Sequence, residues 1–324
     1  MKKILILTSL LITINLANAN EINWNNFLIS HRWNQETIGA LYFKQDFDKN
    51  TNIMCEDKSR NPLRLTMIDQ ESNEIYRISD KKAIPPSYKN TYQYDFDEYK
   101  NILTLVADNL KKYCLDINLA PILDAQIGNR QYSKIPYINN VYAKIFSQSM
   151  REANIIPTWK HFPGLNKIKS KVYNTKYDKY YKNIYGEGVI DSSTYYELLN
   201  HSTYFENKEY NLLMFSIAIY PHVYDKPIVF SKEMISLARQ KQPNSLLIPD
   251  DLSELHLKDE DIVFLFKNFD LLMFTSPQDI ERVKKVLEKA FINKEISLKE
   301  IQDKTSYQNI WRNNNKLELI KDPH

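Results

Sequence analysis

The sequence predicts an α/β fold, a TIM-type (β/α)8 barrel in a single domain, on three observations. Short apolar, β-branched runs recur along the chain without clean in-out alternation, as strands do when both faces of a parallel sheet are buried. Amphipathic stretches of helical period lie between them, which is the strand–helix alternation of α/β proteins. No Gly-x-Gly-x-x-Gly follows any run, so a dinucleotide-binding sheet has no support.

The first segment stands apart from the fold. Lys2 and Lys3 precede the apolar run ILILTSLLITI, and Ala17-Asn18-Ala19 offers a small-residue cleavage site; residues 1–19 read as a secretory signal peptide. The run is too short for a membrane span, so no stable membrane anchor is expected once it is removed. The mature chain, 20–324, is expected in a periplasm or outside the cell. The strand runs then follow in order: IGALYF (38–43), LRLTMID (63–69), INLAPILD (117–124), IIPTWKHF (155–162), NLLMFSIAIY (211–220), SLLIPDDL (245–252) and FDLLMFT (269–275). VIDSS (189–193) is the candidate for an eighth. Helical patterns cover 97–113, 137–153 and 231–241, and another begins near Pro277. Stretches 44–62 and 171–188 read as irregular loops. Pro/Gly/Ser linkers are absent, which argues for one domain.

Composition narrows the function classes. The chain has 324 residues, 43% hydrophobic and 26% charged, with a formal charge of +3. That gives no electrostatic case for a nucleic-acid partner. Cys55 and Cys114 are the two cysteines; they pair in an exported protein or stay as buried thiols. Neither has metal-ligand spacing around it, so no metal and no cofactor is expected.

In a barrel, chemistry sits at the carboxyl ends of the strands. Four runs end there in polar groups: Asp69-Gln70-Glu71, Asp124, Lys160-His161 and Asp250-Asp251. For Asp124 and Asp251 a helix cap is the simpler role, and a strand-end Lys ordinarily reaches for solvent. Gathered on one rim, these groups make a pocket of carboxylates and cations suited to a polyhydroxylated ligand.

The same segments carry a family resemblance. MIDQESNEIYR is similar to the IDQEGGxVxR segment of glycoside hydrolase family 3, and LAPILDAQIGNRQYS resembles its APVLD and IGDRSF segments. WKHFPG resembles its KHFPGHG strand end, and IPDDL its SDDL. The likeness runs over roughly 38–312 and is greatest to the single-domain bacterial β-N-acetylhexosaminidases. It implies Asp250 as the catalytic nucleophile, with Asp69, Arg77, Arg130, Lys160 and His161 binding the substrate sugar. The implied ligand is an N-acetylglucosamine-containing glycan or peptidoglycan fragment, hydrolysed with retention. One part of the pattern departs. Where the relatives keep a His held by an Asp as proton donor, this chain has Tyr173 and Lys171. Asp178, Glu187 and His222 are candidate replacements. The alternative is a sugar-binding protein without turnover, with the Tyr- and Lys-rich stretch 171–188 stacking on or pairing with the glycan.

Overall fold

The computed structural model describes residues 22–31, 40–43, 52–87, 91, 93–124, 129–165, 178–182, 211–221 and 223–320. The signal segment, Lys171, Tyr173, Glu187, VIDSS at 189–193 and His222 lie outside these residues.

The strands are β1 (Leu28–His31), β2 (Ala40–Phe43), β3 (Leu65–Ile68), β4 (Ile117–Asn118), β5 (Ile156–Phe162), β6 (Leu212–Phe215), β7 (Ile219–Tyr220), β8 (Tyr224–Pro227), β9 (Leu246–Pro249) and β10 (Leu272–Phe274). Eight of them form one sheet in the order β10-β1-β2-β3-β4-β5-β6-β9. Every ladder in it is parallel. β7 and β8 form a small antiparallel pair outside it. The eighth described strand is therefore β1, from the NFLISH stretch, which is too short to stand out as an apolar run. No ladder joins β9 to β10 among the described residues. That edge is spanned instead by Asp270, whose backbone N–H donates to the Leu247 carbonyl at 2.9 Å. Its carboxylate accepts from the Leu247 N–H at 2.6 Å and is gripped by Arg239 at 2.7 and 2.9 Å.

The helices are α1 (Asn52–Arg60), α2 (Phe96–Leu110), α3 (Pro136–Glu152), α4 (Lys232–Lys241), α5 (Asp259–Asn268), α6 (Pro277–Ile292) and α7 (Leu298–Asn314). Their starts are written in the sequence. Asp95 and Glu98 make a reciprocal capping box on α2, as do Ser297 and Glu300 on α7, each supplying orphan N–H groups with acceptors. Ser276 caps α6 with Pro277 at its first position. On α2 the buried residues Tyr99, Leu103, Val106, Ala107 and Leu110 fall on one stripe, the helical period that turns a single face to the sheet. α1 occupies part of the stretch expected to be irregular, because its sequence NIMCEDKSR carries few apolar residues to mark a face.

Two apolar clusters lie on opposite faces of the sheet. One packs the strands under the helices, with Ile68, Trp159, Phe215 and Leu247 facing that way. The other holds Leu65 and Met67 of β3, Leu212 and Met214 of β6, Leu246 and Ile248 of β9, and Trp311 of α7. Trp311 donates from its indole nitrogen to the Asn211 carbonyl, at the entry to β6. At the other end of these columns the next residue in alternation is Asp69, Ser216 and Asp250 in turn. The period of two along a strand thus sets polar groups on top of an apolar floor. Among the described residues no helix is long and apolar enough to cross a membrane.

Cys55 and Cys114 form a disulfide that ties α1 to the turn following α2, across 59 residues of sequence. Closing a loop of that size removes unfolded-state freedom worth about 4 kcal/mol in the chain-entropy account. Replacing both cysteines by serine is therefore expected to lower the unfolding free energy by about 2–4 kcal/mol, read by denaturant titration of the oxidised parent and the variant.

Candidate active site

The site begins with an irregularity in β5. The register of β5 against β6 shifts between Trp159 and Phe162, and two consecutive side chains, Lys160 and His161, both enter one cluster of acids. A regular strand would send them to opposite faces. Both are buried, so Lys160 does not follow the usual course of a strand-end lysine into solvent.

Lys160 reaches two carboxylates at once, Asp69 Oδ1 at 2.6 Å and Glu71 Oε1 at 2.6 Å. Glu71 is also held by Arg130, whose Nε and Nη2 donate to its two oxygens at 3.1 and 2.8 Å; this fork geometry is what a guanidinium offers a carboxylate. Asp69 Oδ2 accepts from the Tyr42 hydroxyl and from Arg77 Nη2, the latter at 3.3 Å. Arg77 comes back over Asp69 because Gln70 folds the intervening loop. The Gln70 Oε1 accepts from the Arg77 and Ile78 N–H groups, while Nε2 donates to the Ile78 and Ala83 carbonyls. Gln70 in turn exchanges backbone hydrogen bonds with the Asn118 side chain.

The second arm runs through His161. Its Nδ1 lies 2.7 Å from Asp124 Oδ2, and its Nε2 lies 3.5 Å from Asp250 Oδ2. Asp250 Oδ1 accepts from the Asp251 N–H at 2.8 Å. Asp251 itself caps the short turn at Leu252–Glu254 and accepts from Thr275, as the capping expectation has it. Asp124 differs from that expectation: α3 starts behind Ile135, and the Asp124 carboxylate serves His161 and Leu165 instead.

Electrostatics follow from this packing. Burial by itself would raise the Asp69 carboxyl, but the Lys160 ammonium outweighs it, helped by hydrogen bonds from Lys160 and Tyr42 and by the Arg77 charge, and holds it well below the ordinary carboxylate range. Burial works against the Lys160 charge too, and Asp69 with Glu71 outweighs that and raises it. Arg130 is raised in the same way, Glu71 overcoming its desolvation. The Tyr42 hydroxyl is pushed up by burial and then by Asp69, so it is a donor at neutral pH.

All six residues singled out by the sequence fall in these two arms: Asp69, Arg77, Arg130 and Lys160 in one, His161 and Asp250 in the other. Three participants were not singled out. Tyr42 reads as one more aromatic of an apolar run, Glu71 as a rim acid, and Asp124 as a cap. The sequence signal for Glu71 and Asp124 is their place on the same strand-end rim as Asp69; for Tyr42 there is none. Of the replacement proton donors, Glu187, His222 and the Asp178 side chain lie outside the described residues. From the aromatic stretch, Tyr181 is spent on packing, its hydroxyl donating to the Ile217 carbonyl and its backbone bridging to Leu255. Tyr180 lines a separate groove of about 770 Å³ with Tyr224, Phe230 and Phe264, to which none of the clustered charges contributes.

The family model "Glycosyl hydrolase family 3 N terminal domain" matches residues 41–253. A beta-hexosaminidase of Hydrogenovibrio crunogenus is 24% identical over 238 residues, 66% of this chain and 63% of that protein. One from Photobacterium profundum is 27% identical over 144 residues, 39% of this chain and 41% of that protein. The chain thus spans about two-fifths to three-fifths of the length of these curated relatives. Among solved structures, LpqI of Mycobacterium tuberculosis superposes with a TM-score of 0.71 at 15% identity, covering 91% of this chain and 93% of that one.

Two outcomes test the charge cluster. Lys160→Met leaves Asp69 and Glu71 buried without their shared cation, and is expected to cost about 3–5 kcal/mol of unfolding free energy. For Asp69, a depressed native pKa contributes stability that is complete above the unfolded value of about 3.9 and is lost as pH falls through the native one. Asp69→Asn should therefore lose less stability than the parent between pH 6 and pH 2, measured by denaturant unfolding at each pH.

Proposed function

This chain belongs to glycosyl hydrolase family 3, and we propose that it is a retaining β-N-acetylhexosaminidase-like enzyme. Its substrate class is terminal N-acetylglucosamine on envelope or exported glycans, peptidoglycan fragments among them. In this reading residues 1–19 direct export to the periplasm or beyond, residues 20–324 form one domain, and the eight-stranded sheet is the wall of a closed TIM-type barrel.

The observation that carries the reading is a difference in exposure between carboxylates of one cluster. Glu71 and Asp124 are wholly buried and the Asp69 side chain is 14% exposed, whereas the Asp250 side chain is 25% exposed. Asp250 is thus the most open carboxylate of the cluster, above the apolar column of Leu246 and Ile248. A nucleophile must meet the anomeric carbon, and the other acids are enclosed by their partners. In the proposed reaction Asp250 attacks that carbon as its bond to the leaving oxygen breaks, giving a covalent glycosyl-enzyme that water then hydrolyses with net retention. Asp69, Arg77, Arg130, Lys160 and His161 are the groups assigned to hold the sugar. Lys160 has three donors, two of them directed at Asp69 and Glu71, which leaves one for a hydroxyl. Arg130 keeps a third of its side chain exposed while forked on Glu71, so an edge of the guanidinium remains for ligand.

A second reading, sugar binding without turnover, is favoured by one feature of the sequence: Lys171 and Tyr173 stand where relatives keep their Asp and His proton donor. An aryl leaving group of low pKa departs without a donor, whereas a natural sugar alcohol needs one. The mature chain is therefore expected to cleave an aryl β-N-acetylglucosaminide, with Asp250→Asn reducing kcat to background. Cleavage of a muropeptide disaccharide in the same assay establishes the enzyme. Calorimetric binding of N-acetylglucosamine with no cleavage of either compound establishes the binding protein.

A further inference from the structure

Outside the charged cluster lies the groove of about 770 Å³ that Tyr180 borders. It is lined by the first turns of α4 and α5. α4 leads into β9 and α5 leads from β9 to β10, all in one parallel sheet, so both helices start at the carboxyl end of the strands. The floor of the groove is aromatic. Tyr224, Phe230 and Phe264 are half-buried, packed in part on the core beneath the helices, and the Phe230 and Phe264 ring centroids stand 5.9 Å apart. Tyr180 forms one wall, with Lys179 Nζ 4.9 Å from its ring centroid. That wall is tied down. The Tyr180 carbonyl accepts from the His256 N–H at 2.8 Å, the Lys182 N–H donates to the Glu254 carbonyl at 2.8 Å, and Lys182 pairs with Asp279 at 2.9 Å.

Four lysines and three acids line the groove among the described residues. The acids are engaged locally: Glu260 meets Lys258 at 3.5 Å, Asp261 accepts from the Lys258 N–H at 2.8 Å, and Glu233 accepts from the Ser231 hydroxyl at 3.1 Å. Lys179, Lys226 and Lys232 are exposed and make no ion pair among the described residues. Aromatic faces pack against the C–H faces of sugar rings, and ammonium groups bond carboxylates. We propose that this groove binds an acidic glycan, its sugar rings on Tyr224, Phe230 and Phe264 and its carboxylates against Lys179, Lys226 and Lys232. The choice of a glycan rests on the reading of the cluster around Asp250 as a sugar site. Leu255, in the groove wall, is five residues beyond Asp250, so the chain allows at most about 18 Å between them. An oligosaccharide spans that distance. The groove then holds the part of the glycan that follows the terminal sugar, and its lysines select for an acidic polymer.

Calorimetric titration with a hyaluronan tetrasaccharide tests this, since that probe alternates N-acetylglucosamine with a carboxylate-bearing sugar. Asp250→Asn is the background throughout, so that nothing is cleaved. The tetrasaccharide is expected to bind, and Lys226→Ser with Lys232→Ser to raise Kd about tenfold. Both side chains are exposed, so the fold is undisturbed by this double variant. Tyr224→Ala is expected to raise Kd about fivefold. Raising salt from about 50 to 500 mM should weaken binding to the background protein more than to the double lysine variant. No binding of the tetrasaccharide, or a Kd that the double lysine variant leaves within about twofold, overturns the proposal. Equally tight binding of chitotetraose, the uncharged N-acetylglucosamine tetramer, overturns it as well. So does tetraglutamate binding where the tetrasaccharide does not, which marks a peptide site. If the parent cleaves no N-acetylglucosaminide, the enzyme reading falls and the titration still decides this one; if it cleaves while the titration is silent, only this one falls.

Discussion

The arrangement of the site depends on one buried cation. Lys160 sits between Asp69 and Glu71 with 2.6 Å to each, and each acid in turn holds an arginine, Arg77 and Arg130. Burying two carboxylates is costly unless their charge is answered at short range. Lys160 answers both from a single point, and the arginines complete the neutralisation from the flanks. The cluster also brings distant chain segments together: the loop after β3, the segment preceding α3, and the end of β5 meet in it. Because Lys160 is joined by one peptide bond to His161, the same local irregularity in β5 also delivers the imidazole to Asp124 and Asp250.

How much of this is legible in the sequence follows from what each residue is compensated by. The strands of the sheet read as unbroken apolar runs because both faces are covered, so alternation is hidden; the alternation reappears only in the last residue of each column, as with Leu65, Met67 and then Asp69. That is why the polar strand ends could be found and why they converge. Tyr42 could not be found this way, since an aromatic at the end of an apolar run has the same pattern whether it packs or donates a hydrogen bond. Asp124 misleads for the opposite reason. A carboxylate after a strand suits the start of a helix, but α3 begins twelve residues later at Pro136, and the acceptor is taken up by partners some forty residues away, His161 and Leu165. β1 was missed because four residues carry too little periodicity, while its place in the sheet comes from pairing with β2 and β10. The Cys55–Cys114 bond likewise depends on the two ends of a 59-residue separation meeting, which spacing alone does not decide.

The distribution of charge bears on where chemistry would occur. Asp69 and Glu71 are answered by Lys160, Arg77 and Arg130 within the first arm. The second arm holds two further carboxylates, Asp124 and Asp250, with a single imidazole between them. Among the described residues the lysine and the two arginines of the cluster thus gather on Asp69 and Glu71, while the His161 ring lies between Asp124 and Asp250. In the proposed reaction positive charge develops at an anomeric carbon, and such a transition state gains from carboxylates already fixed in place. There Asp250, the most open carboxylate of the cluster, faces the carbon that becomes cationic, while the enclosed acids fix the lysine and arginines assigned to the sugar.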